Sequence, residues 1–131
     1  MRRLAAVNIP RLHLIQTKTI CPIVSAFNNE TWDSSSNHTT IAGGISIANP
    51  PRLRQIVDVL RGSDGVALAI DDSEILPAQL ELASEEGIYC EPTSAVAMVG
   101  LKHLVAQRII DPNEKVVVVL TGFGLKDTAP V

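Results

Sequence analysis

Two short apolar runs with no polar face, "GVALAI" at Gly65–Ile70 and "VVVVL" at Val116–Leu120, most constrain what this chain can fold into. A strand with one face in water alternates apolar and polar residues. A strand covered on both sides reads as a continuous run. Amphipathic helices lie between and before these runs. Apolar strands alternating with such helices predict an α/β fold: a three-layer αβα sandwich around a mostly parallel sheet.

The segments between the runs can be read in order. "RLHLIQT", Arg11–Thr17, alternates and predicts a half-buried strand, and "CPIVSAF" predicts a short helix with Pro22 in its first turn. Residues 28–40, "NNETWDSSSNHTT", are polar and rich in Ser and Asn, which predicts a flexible loop. Leu53, Ile56, Val57 and Leu60 share a helical face, so a helix is expected from about Pro51 to Arg61. "DDSE" carries a capping box, Asp71 with Glu74, for a helix that runs to Glu86 and stops at Gly87. Pro77 inside that helix predicts a kink. "GIYCEP" predicts a very short extended segment, and Pro92 opens a helix to Arg108. The last run, Val116–Leu120, is expected to be a covered strand ending in a glycine turn. Three strands are few beside the about five to six of an average sheet, so the chain is expected to be a partial domain.

Composition narrows the function. The 131 residues are 46% hydrophobic and 19% charged with a net charge of −3, which predicts no general attraction to nucleic acid or anionic lipid. No apolar stretch approaches the roughly 20 residues of a membrane span, and a cytoplasmic location is expected. Cys21 and Cys90, and His13, His38 and His103, show neither a metal spacing nor a redox pair.

Ligands of an open parallel sheet bind beyond the carboxyl ends of its strands. Three stretches fall there. "DDSE" is explained as a cap. "EPTSA" places Glu91 before a helix start built of small residues, which suits close approach by an anion or ring. "TGFG" delivers Thr121 at the end of the last run. By local pattern alone Thr121 either closes the strand by bonding to backbone or belongs to a phosphate cradle, and the former is favoured.

Four stretches match one family in order: "IPRLHLIQTKTICPIVSAF", "TTIAGGISIANP", "DDSEILPAQLELASEEGIYCEPTSAVAMVGL" and "VVVVLTGFGLKD". Together they resemble the C-terminal part of threonine synthases, pyridoxal-phosphate enzymes of fold type II. The resemblance implies an enzyme that converts O-phospho-L-homoserine and water into L-threonine and phosphate. It implies that the Thr121 hydroxyl meets the pyridine nitrogen of the cofactor, where a neutral group need not hold that nitrogen protonated. Glu91 is implied as a second cofactor-site residue. A serine or threonine dehydratase is the alternative within the family, against which "TGFGLKD" argues; a non-catalytic α/β binding module is the alternative outside it. The family's Schiff-base lysine, in a motif of the type "SFKDRG", and its glycine-rich phosphate loop have no counterpart in these 131 residues, and Lys126 lacks that context. The chain is therefore expected to be a fragment with no catalytic residue of its own, inactive alone, and prone to form homo-oligomers through exposed sheet edges.

Overall fold

The computed structural model describes residues 9–36 and 38–127; the start of the chain and Asn37 of the loop lie outside the described residues. Two parallel strands form the sheet, β1 at Leu14–Thr17 and β2 at Ala67–Ile70, with Leu14 opposite Ala67 and Thr17 opposite Ile70. Side chains of a strand alternate between faces, and that alternation builds the layers. Leu14 and Ala67 pack on one face against α1 (Pro22–Phe27) and α2 (Leu53–Gly62), around Ile23, Val57 and Leu60. Ile15, Leu68 and Ile70 pack on the other against α3 (Ile75–Glu86) and α4 (Pro92–Ala106), around Ile75, Ala78, Val96 and Val99. The αβα layering is thus present with two strands.

Several local features set this arrangement. Cys21, at the N-cap of α1, makes no side-chain cap. Its place is taken by Gln16 of β1, buried, whose Oε1 accepts from the amides of Ile23 at 3.0 Å and Val24 at 3.1 Å. The orphan donors of a helix start are here satisfied from the sheet. Gly100 brings α4 against β1: a Cβ there would lie 2.3 Å from Ile15 Cδ1. The capping box forms as expected, with Asp71 accepting from Ser73 N and Glu74 accepting from Asp71 N, over a 3₁₀ turn at Asp72–Glu74. Gly87 ends α3 in the left-handed conformation, φ 69°.

Two expectations are corrected. Pro77 does not interrupt a helix, because the 3₁₀ turn shifts the start of α3 to Ile75. Pro77 is then its third residue, where an amide lacks an intrahelical partner anyway. Val116–Leu120 is not a covered strand: Val117 is 88% and Val119 68% exposed, and among the described residues no backbone hydrogen bond joins this run to β1 or β2. A strand exists only by pairing, since its amides and carbonyls need partners. Apolar composition alone supplies none. The other three α-helices lie within about two residues of their expected spans, and residues 28–36 and 38–40 hold no helix or strand.

Among the described residues no helix is long and apolar enough to cross a membrane, no cluster of His, Cys, Asp or Glu could hold a metal ion, and Cys21 and Cys90 are free thiols.

Candidate functional site

The two residues singled out in the sequence, Glu91 and Thr121, meet in the structure. The extended segment before α4 pairs with the glycine turn after Leu120: Gly124 N donates to Tyr89 O at 2.9 Å, Glu91 N donates to Gly122 O at 3.0 Å, and Cys90 bridges Phe123 in antiparallel fashion. This short pairing carries the "TGFG" turn to the N-terminus of α4. Gly124 must be glycine, and Gly122 leaves the room that the Glu91 carboxylate fills. A Cβ on Gly122 would fall 2.2 Å from Glu91 Cδ, and one on Gly124 would fall 2.6 Å from the Tyr89 ring.

Ser94, in the first turn of α4 and 2% exposed, fixes the turn from beneath. Its Oγ accepts from Thr121 N at 2.8 Å and from Gly122 N at 3.1 Å, and lies 3.2 Å from Thr121 Oγ1. The Thr121 hydroxyl donates to Glu91 Oε1 at 3.1 Å, and the other carboxylate oxygen pairs with Lys126 Nζ at 2.5 Å. The ammonium of Lys126, followed by the Thr121 hydroxyl, holds the Glu91 carboxyl below its ordinary range against the opposing effect of burial, and Glu91 raises Lys126 in return.

The hydroxyl sits at the rim of a cavity of about 430 Å³ with apolar walls that include Ile15, Ile45 and Val119, and with Thr93 and Glu91 at its polar edge. Gly44 N donates to Thr93 Oγ1 at 3.0 Å, closing the cavity with the 3₁₀ turn at Gly43–Ile45. A larger groove of about 520 Å³ lies between the start of β1 and α2. That groove is lined by apolar side chains with His13, Arg52 and Gln55, whereas the smaller cavity holds both residues singled out in the sequence, Glu91 and Thr121.

Ser94 and Lys126 were not legible as site residues. Ser94 stood in the sequence only as one of several small residues at a helix start, 27 positions from Thr121. "DDSE" stays outside the site. Asp72 instead accepts from Thr40 Oγ1 at 2.7 Å and Ile41 N at 3.0 Å, and Glu74 meets His103 Nε2 at 2.6 Å.

That last contact has a pH signature. His103 holds the Glu74 carboxyl below its ordinary value. A carboxyl lowered in the folded state stabilises the fold above its unfolded pKa, and that contribution disappears as pH falls through the folded value. His103→Ala should therefore flatten the acid side of the stability profile, from pH about 4.5 downward, in urea midpoints measured across pH. An unchanged acid limb would show that the pair contributes nothing.

A hydroxyl-edged cavity beside a parallel sheet, at a helix start and a glycine turn, makes a candidate ligand site on an α/β fold. The profile of the pyridoxal-phosphate dependent enzymes matches residues 1–122, and the chain belongs to that family. It is 42% identical over 121 residues to the threonine synthase of Methanocaldococcus jannaschii, covering 91% of this chain and 30% of that protein. It is 38% identical over 126 residues to the threonine synthase of Methanosarcina acetivorans, covering 95% and 31%. Against the threonine synthase of Mycobacterium tuberculosis H37Rv the identity is 33% over 119 residues, covering 91% and 31%. The chain thus spans about 30% of the length of the curated relatives it matches.

The residues present fit one edge of the family's cofactor. Thr121 offers an uncharged hydroxyl, and the cavity walls are apolar enough for an aromatic ring. No Lys or Arg lines the cavity among the described residues, and His13, which does, is held toward its neutral form by burial and by Arg11, so a phosphate group finds little counter-charge there.

Proposed function

We propose that this chain forms the ring-nitrogen side of the cofactor site of a threonine synthase, and that the whole enzyme converts O-phospho-L-homoserine and water into L-threonine and phosphate. The observation that carries the reading is the Thr121 hydroxyl, fixed by Ser94 and Glu91 at the rim of an apolar cavity. Pyridoxal phosphate, when bound, supplies the electron sink for carbanion chemistry at the substrate. The part of this chain is to orient and tune. Thr121 would meet the pyridine nitrogen, Ser94 holds the backbone that places Thr121, and Glu91 lies behind it. The apolar walls would keep water from the bound group. Similarity to threonine synthases over nine tenths of the chain favours this substrate over those of the dehydratases.

On the same reading the chain by itself is inactive, because none of its lysines has the context of the Schiff-base motif. Titration with pyridoxal phosphate should give no saturable Schiff-base absorption band. A saturable band abolished by substitution of one lysine would overturn this part of the proposal.

A further inference from the structure

Asp72 has no part in the box that caps the helix after β2: Asp71 and Glu74 complete it between themselves. Its carboxylate turns instead to the loops at the same edge of the sheet. It accepts from Thr40 Oγ1 at 2.7 Å and from Ile41 N at 3.0 Å through one oxygen, and from Thr19 Oγ1 at 3.3 Å through the other. Thr40 Oγ1, its proton given to Asp72, accepts in turn from Ala42 N at 3.1 Å. A charged acceptor holds such donors more strongly than a neutral one. The segment tied in this way leads directly into the 3₁₀ turn at Gly43–Ile45, and Gly44 and Ile45 line the smaller cavity.

Residues 40–45 are thus a strap held at two ends. At one end lies Asp72, and at the other Thr93 of α4, whose Oγ1 accepts from Gly44 N. Between them Ala42 is fully buried, but it gives the core only a methyl group. The chain on either side does little to hold the strap, since residues 28–36 and 38–40 form no helix or strand and Ile47 is 50% exposed. We infer that Asp72 is a positioning residue of the cofactor site: it lines no part of the cavity, and it sets the strap that forms one wall. This deepens the proposed function and rests on it for the identity of the ligand, while the tie itself does not. It also gives the second acidic residue of "DDSE" a task that the helix cap leaves unexplained.

The tie can be read in the chain alone by amide hydrogen exchange. In Asp72→Ala, exchange at Ile41 should accelerate because its acceptor is gone. Exchange at Ala42 and Gly44 should also accelerate, by about tenfold, the scale of one hydrogen bond, although the acceptors of both, Thr40 Oγ1 and Thr93 Oγ1, are still present. Asp72→Asn should restore most of the protection, because its amide oxygen can face Thr40 and Ile41 while its NH₂ donates to Thr19 Oγ1. A role limited to negative charge at a helix start would make the two variants alike. Thr40→Val, which leaves α3 untouched, should reproduce the acceleration at Gly44. With this chain grafted in place of the matching part of the Methanocaldococcus jannaschii threonine synthase, Asp72→Ala should weaken pyridoxal-phosphate binding about tenfold and Asp72→Asn much less. Exchange at Gly44 unchanged in Asp72→Ala and Thr40→Val, or cofactor binding unchanged in Asp72→Ala, overturns the inference. A grafted enzyme that binds no cofactor even with Asp72 in place counts against the threonine synthase reading, and the exchange at the strap then decides the inference by itself.

Discussion

Gly65→Ala should destabilise the fold by about 3 kcal/mol or more, the range reached only when a core contact is made impossible. A Cβ at this position would lie 1.7 Å from the Leu12 carbonyl oxygen, 2.7 Å from its carbon and 3.3 Å from its nitrogen. All three are backbone atoms, so no rotamer relieves the clash. Nor can the backbone move easily. Leu12 N donates to Ser63 Oγ at 3.1 Å, and two residues on, Leu14 N donates to Val66 O at 2.9 Å and begins the register of β1 with β2. Relief requires separating the strands, and the two-stranded sheet has no other pairing to hold it. Urea denaturation followed by circular dichroism measures the loss. Gly62→Ala is the internal control: nothing lies within 4 Å of its Cβ position, and it closes α2. That substitution should stabilise by about 0.5–1 kcal/mol, since alanine loses less entropy in a helix. Equal effects at the two glycines would contradict the geometry.

Ser94→Ala should have the largest effect near the cavity. The hydroxyl accepts two backbone amides and donates to Thr121, and no other protein group is placed to replace it. Leaving amides unpaired costs about 1–3 kcal/mol each. The penalty should fall locally, because the turn is otherwise held by the short pairing with Tyr89–Glu91 and by the Glu91 carboxylate, all within the same segment. Amide hydrogen exchange at Thr121 and Gly122 should accelerate about a hundredfold, while amides in the middle of α2 change little. Uniform acceleration across the chain would mean that Ser94 supports the fold rather than the turn.

How much of this was legible in the sequence depends on the range of each interaction. The helices were, because their signals are local: the spacing of Leu53, Ile56 and Leu60, the Asp71–Glu74 box, Gly87 at φ 69° and Pro92 at a first turn. Val116–Leu120 misled because apolar composition is shared by a strand with partners and a strand without them. Pro77 misled by three residues of helix boundary, Ile75 rather than Asp72. The cap of α1 was out of reach, since Gln16 comes from the preceding strand rather than from the N-cap position. At the site, Thr121 and Glu91 were marked by the resemblance to threonine synthases, and the structure joins them. Ser94 and Lys126 could not be marked, because the turn that assembles them forms only when Tyr89–Glu91 pairs with the residues after Thr121.

The central claim is that Thr121 completes the cofactor site of a threonine synthase. It is tested most directly by grafting this chain in place of the matching third of the Methanocaldococcus jannaschii threonine synthase and measuring phosphate release from O-phospho-L-homoserine. The account predicts release by the chimera, reduced about tenfold or more by Thr121→Val, the scale of one lost hydrogen bond to the reacting system. A folded, cofactor-loaded chimera that releases no phosphate, or one whose Thr121→Val variant is equally active, would contradict it.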